Sequence, residues 1–270
     1  MIHPGLTTAT TRDLSVEQTL SIACECGLEG IEWEAQKHVP PGDFKAADNA
    51  RSLCAAEKII IPSYGSYYTA GVSEEAGMQF SAVLDAARAL DAPAIRIWAG
   101  DQDYDKSDPT HINDVVRDTL RIADMAAGKG IILIFEFHAH SLTNTAEFAM
   151  EFSRKVEHPA VTCSWQPIQA FSQEECKRSL SKMLLSTLHV FHWDMGPYPD
   201  RGYTRERFIE EGISWFRHPL EQAVERWRSY LELANTTRKD HWAFLEFTKD
   251  DSTDQLLEDA KTLKSLIGAA

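Results

Sequence analysis

Along this chain, short apolar runs alternate with longer stretches whose apolar positions recur every three to four residues, the pattern of strands followed by amphipathic helices. The first runs lie near Ile2 to Thr7 and Gly30 to Glu34; IIIPSYG, AIRIW, IILIFEFH, VTCSWQ, LHVFHWD and WAFLEF follow. Helices are predicted after Ser15, over 44–57, 74–90, 111–128 and 145–156, after Ser172, over 218–234 and after Ser252, the last closing near Ile267. Ser15 with Gln18, Ser172 with Glu175 and Ser252 with Gln255 have capping-box spacing, and Gly27 is the residue type that stops a helix. Eight strands, each followed by a helix, in about 250 residues is the count of a (β/α)8 barrel. A doubly wound open sheet would need a Gly-rich phosphate turn after its first strand, and none is present. The predicted fold is therefore α/β, one (β/α)8 TIM-barrel domain over residues 1–270, with its active site at the C-terminal ends of the strands.

Four of the runs end in polar groups. Side chains alternate along a strand, so Glu136 shares a face with His138, Gln166 with Ser164, His192 with Asp194, and Glu246 with Phe244. Taken singly, a strand histidine is more often hydrogen-bonded structure, and an acid at a strand end more often caps the next helix. Four such positions on consecutive strands shift the balance towards a metal site. Two carboxylates, an imidazole and an amide oxygen suit one divalent ion, Mn²⁺ first with Mg²⁺ or Co²⁺ as alternatives, better than thiolate-type zinc. Trp98, Trp165 and Trp193 stand beside the polar strand ends and offer faces for the C–H side of a sugar. Arg96 shares a face with Trp98 and would hold a substrate group or pair with a barrel carboxylate. The run from Met195 to His218 exceeds an ordinary connection; it reads as a lid carrying Arg201 towards substrate, or as a surface excursion.

The arrangement resembles the xylose isomerase-like TIM barrels, the sugar phosphate isomerase/epimerase family, over essentially the whole chain. The resemblance implies metal ligands Glu, Asp, His and Glu from strands five to eight, and Glu136, Gln166, His192 and Glu246 fall at those places. Gln166 stands where Asp is usual, which keeps an oxygen but removes a negative charge. EFHAHSLTNT is similar to the family's E-x-H-x-x-x-x-T pattern, so His138 is expected to face substrate. GIEWEAQKHVPPGD is similar to the strand-two end of some members, which makes Glu34 and His38 expected pocket residues. The implied activity is metal-dependent isomerisation or epimerisation of a sugar or keto-sugar, with Glu136 and Glu246 handling the proton and His138 or His140 able to share that work. A leaving group β to the abstracted proton would turn the same machinery into a lyase, as in inosose dehydratases and the catalytic subunits of C-glycoside deglycosidases. A homo-oligomer is expected, or a partner subunit if the chain is deglycosidase-like.

Charge removes other classes. Lys and Arg total 27 against 41 Asp and Glu, a net charge of −14, which repels phosphate backbones and argues against an endonuclease IV-type repair enzyme on the same barrel. A metal-free sugar-binding protein stays open because of Gln166. No apolar run approaches the roughly 18 residues of a membrane span, and MIHPGLTTATT has no leader pattern. Five cysteines, an odd number, fit reduced thiols in a cytoplasm.

Overall fold

Each predicted alternation becomes a strand and its covering helix in a computed structural model, which describes residues 1–168, 171–184, 187–192, 195–196 and 216–270. The barrel strands are β1 (Ile2–Thr7), β2 (Gly30–Glu34), β3 (Tyr64–Ala70), β4 (Ala94–Ala99), β5 (Ile132–Phe135), β6 (Val161–Trp165), β7 (Thr187–His192) and β8 (His241–Leu245). The helices between and after them are α1 (Val16–Glu25), α2 (Phe44–Glu57), α3 (Phe80–Ala89), α4 (Pro109–Ala127), α5 (Ala146–Val156), α6 (Gln173–Met183), α7 (Val224–Asn235) and α8 (Thr253–Ala269). All neighbouring barrel strands are parallel, and the sheet closes in the order β1-β8-β7-β6-β5-β4-β3-β2. Met195–Gly196 and Phe216–Arg217 pair as a small antiparallel ribbon outside the barrel.

Local signals set the helix starts. Ser15 and Gln18, and Ser172 and Glu175, form reciprocal capping boxes, and Ser252 accepts from the Gln255 amide. Three elements differ from the prediction: the helix expected over 218–234 begins at Val224, after a 3-10 turn over Leu220–Ala223, and the third strand and third helix also start late. The third strand begins at Tyr64, because Ile60 makes only a single bridge to Gly30 and Pro62 has no N–H to give a ladder. The third helix begins at Phe80, since Gly77, in the left-handed region at φ 94°, turns the chain before it.

The barrel interior changes character from bottom to top. Trp242, Phe244 and Glu246 are spaced two apart along the last strand. The Trp242 and Phe244 rings stack at 6.0 Å, in space that Cβ atoms on Gly30 and Gly5 would invade at 2.3 and 2.8 Å. Apolar rings thus fill the lower barrel, while charged groups occupy its C-terminal end. β3 carries two extra residues against β4, with Gly65 opposite Arg96 but Thr69 opposite Trp98. This bulge re-aims the chain at Tyr67, whose φ of 55° is unusual for a bulky side chain. Among the described residues no helix is long and apolar enough to cross a membrane, and all five cysteines are free thiols.

Candidate active site

Arg96 of β4 points inward and organises the site. Its guanidinium bonds Glu32 of β2 through Nε at 3.0 Å and Nη2 at 2.8 Å, and its Nη1 is paired with Glu136 at the end of β5. Ser63 Oγ donates to the other Glu32 oxygen at 2.7 Å. Gly65 makes this possible, since a Cβ there would lie 3.2 Å from Glu32 Oε1 and 3.3 Å from Arg96 Nη2. Burial works against the Arg96 charge, but Glu136, Glu32 and Glu246 outweigh it and hold the guanidinium protonated. Removing one member of such a buried pair typically costs about 3–5 kcal/mol. Sequence reasoning missed Glu32. The available signal was GIEWE, where two acids share the face of an otherwise apolar strand and one of them needs a cation.

Glu246, just past β8, is 4% exposed, and its Oε2 has no hydrogen-bond partner. Burial, reinforced by the charges of Glu136 and Glu32 and opposed by Arg96, pushes its pKa up to about 8. Gln166, following β6, is buried on the Ser164 face of its strand. A buried carboxylate oxygen with no donor, close to a second carboxylate and with an amide two strands away, fits a hard cation. Among the described residues no three His, Cys, Asp or Glu side chains are grouped to hold a metal. A bound ion would therefore draw on Gln166 or on His192, whose backbone ends β7 and whose side chain lies outside the described residues.

The turn after β5 is braced by its own hydroxyls. Thr143 Oγ1 donates to the Glu136 carbonyl at 2.6 Å, Ser141 Oγ donates to the His138 carbonyl at 2.7 Å, and the two hydroxyls lie 2.9 Å apart. Thr143 and Ser141 thereby fix the turn that carries His138. His138 Nδ1 donates to the Ala139 carbonyl at 2.6 Å, so in the neutral ring Nε2 is the proton acceptor. Its ring lies 4.7 Å from that of Trp98, and both side chains are partly exposed.

Residues 20–266 match the xylose isomerase-like TIM barrel family. The chain belongs to that family. No curated protein matches it in sequence. Among solved structures, the probable 3-DHS dehydratase AsbF involved in petrobactin synthesis from Bacillus anthracis is similar, with 18% identity, 97% of this chain and 98% of that one covered, and a TM-score of 0.79. D-psicose 3-epimerase, solved in the presence of D-fructose, shares 17% identity over 98% of this chain and 99% of its own, with a TM-score of 0.67. A xylose isomerase-like protein from Mycobacterium smegmatis in complex with magnesium shares 16% over 99% and 97%, with a TM-score of 0.68. At these identities the likeness shows the shared fold.

Not every expected residue of this xylose isomerase-like barrel reaches the mouth. Trp165 is a correction: it alternates with Ser164 and Gln166, so it turns outward and packs edge-on against Trp227 and Tyr230, with Nε1 donating to Ser179 at 2.9 Å. Glu34 and His38 are brought together, but to each other. Glu34 Oε1 meets His38 Nδ1 at 3.1 Å and the Lys37 amide at 2.7 Å, Oε2 accepts from the Gln36 amide at 2.9 Å, and His38 Nε2 donates to the Leu14 carbonyl at 3.1 Å. With every polar atom engaged and neither side chain exposed, this pair staples the turn after β2 rather than facing a ligand. His140 is exposed, and its backbone N–H is held by Asp103 at 2.7 Å. Trp193, Asp194 and Arg201 lie outside the described residues.

Proposed function

We propose that this protein is a divalent-metal-dependent isomerase or epimerase of a sugar or keto-sugar, working by proton abstraction next to a carbonyl. The observation that carries this reading is Glu246: a buried carboxylate at the barrel mouth with one oxygen lacking any donor, beside the Glu136–Arg96 pair. The ion would be held by Glu136, Glu246, Gln166 and His192, with Mn²⁺ first and Mg²⁺ or Co²⁺ as alternatives, and would draw electron density from the substrate carbonyl so that the adjacent C–H becomes acidic. With an ion beside it to keep the carboxyl ionised, Glu246 would receive that proton on the oxygen not bound to the ion, because Arg96 already engages a Glu136 oxygen. Glu136, paired with the guanidinium, orients the substrate's oxygens. His138, steadied by Trp98 and the Ala139 carbonyl, moves the second proton through Nε2.

A second reading, elimination, draws support from the position of His138 at the rim, where Nε2, having first taken up a proton, would pass it to a group leaving from the carbon β to the carbonyl. The structural likeness to a probable dehydratase agrees with it. One experiment tests the first reading and separates the second. Metal-reconstituted protein is incubated with C–H-deuterated ketoses, inososes and 3-keto glycosides. Isomerase activity returns an isomer with deuterium washed out, whereas lyase activity returns an unsaturated product. Reconstituted protein is expected to retain about one equivalent of divalent ion, and less than about a tenth overturns the metal reading.

A further inference from the structure

Between the ends of β1 and β8 the mouth opens into a cavity of about 300 Å³ whose lining includes Thr10, Arg12, Lys37, Arg217, Phe247 and Thr248. Arg12 dominates it. Its guanidinium carbon lies 5.7 Å from the Tyr67 ring and 5.7 Å from the Phe247 ring, and Nη2 donates to the Tyr67 hydroxyl at 2.5 Å. Arg12 is half-buried, and its Nε is buried with no partner. Among the described residues no carboxylate pairs with Arg12 or with the Lys37 ammonium. The chain has 41 acids against 27 bases, so this vacancy is not for want of carboxylates. Of the two acids lining the cavity, Asp251 is held by Arg217 and Asp13 is exposed.

The backbone adds a second observation. Tyr67 and Phe247 both have φ of 55°, a region bulky side chains rarely adopt, and both rings close on the same guanidinium. Such outliers persist where the surrounding fold over-determines them, and they cluster at ligand sites. Here they hold a half-buried cation whose Nε is buried and which meets no carboxylate among the described residues, a charge that an arriving anion would offset. Arg217 stacks on the opposite member of the sandwich, 4.5 Å from the Phe247 ring. The Arg12 charge acts on Glu246, and Tyr67 feels both Arg12 and Arg96, so cavity and carboxylate cluster share one mouth.

We infer that this cavity is an oxyanion subsite that takes a carboxylate or phosphoryl group of the substrate, with Arg12 as its principal ligand and Lys37 at its rim. The assignment of the anion to the substrate rests on the catalytic reading above; the subsite itself is read without turnover. Metal-free protein is titrated calorimetrically at constant ionic strength with inorganic phosphate and, separately, with acetate. Saturable binding of one or both is expected, with phosphate the tighter if the natural group is phosphoryl and acetate if it is carboxylate. Arg12→Met weakens that binding by about tenfold or more, as expected for loss of a charge-assisted bond. Lys37→Met, at an exposed position, weakens it by about threefold. Absence of saturable binding for both anions, or unchanged binding in Arg12→Met, overturns the inference. If Arg12→Met does not fold, unchanged binding in Lys37→Met overturns it instead. Protein that binds phosphate through Arg12 yet exchanges no C–H deuterium supports the subsite and refutes only the catalytic reading.

Discussion

Two carboxylates stand buried just inside the barrel mouth, Glu34 at the end of β2 and Glu246 just past β8, and they have opposite chemistry. Burial opposes the charge of each. Around Glu34 the His38 ring and the amides of Gln36 and Lys37 outweigh it and hold the carboxyl below its usual pKa. Around Glu246 no donor reaches Oε2, Glu136 and Glu32 add to the burden, and the pKa rises to about 8. Burial alone therefore does not mark an active-site acid. The count of donors does: a satisfied carboxylate holds the fold, and an unsatisfied one awaits a ligand or a proton.

The contrast breaks first, if it is wrong, on Glu246→Gln. That variant should fold at least as stably as metal-free wild type near neutral pH while turnover falls by about 10²-fold or more, since a ligand and the base are lost together. Wild-type deuterium exchange in this variant would place the chemistry elsewhere. Next in size is His138→Asn, expected to lower turnover by about 10²-fold with metal content unchanged. Loss of metal by elemental analysis would instead make His138 a ligand. Glu34→Gln should do the reverse of Glu246→Gln. It removes a charge that three backbone amides and His38 address, so denaturant unfolding should report a loss of about 1–3 kcal/mol, with turnover per folded molecule nearly intact.

The change that is smallest per step is a slope. In metal-free protein the folded state keeps a proton on Glu246 that the unfolded chain has released above its ordinary pKa of 4.5. Stability should therefore fall as pH rises from about 4.5 towards 8, by at most about 1.4 kcal/mol per pH unit, and then level off. Glu34, depressed rather than raised, works in the other sense: its contribution is present above its unfolded pKa and is lost as pH falls through the acid range. Urea midpoints across pH 5–8 for wild type and Glu246→Gln check the first sign, and midpoints below pH 4.5 for wild type and Glu34→Gln check the second. The Glu246→Gln curve should be flat where the wild type declines.

Local chemistry determined much of this protein. Apolar periodicity predicted the alternation of eight strands and their helices, helix 44–57 is observed as Phe44–Glu57, and two Ser-led capping boxes form as predicted. Strand alternation also sets Trp165 and Gln166 facing opposite ways, because a two-residue period needs no knowledge of the neighbours. It does not say what sits across the barrel. That Arg96 ties Glu32 to Glu136, and that Glu34 is consumed by His38 and its own turn, depends on stagger between strands far apart in sequence. Arg12 reads in the sequence as one surface cation among many. Only the β3 bulge at Tyr67 and the left-handed turn at Phe247 bring two rings onto it from 55 and 235 residues away, and whether a charge is satisfied is decided by such distant partners, not by its own segment.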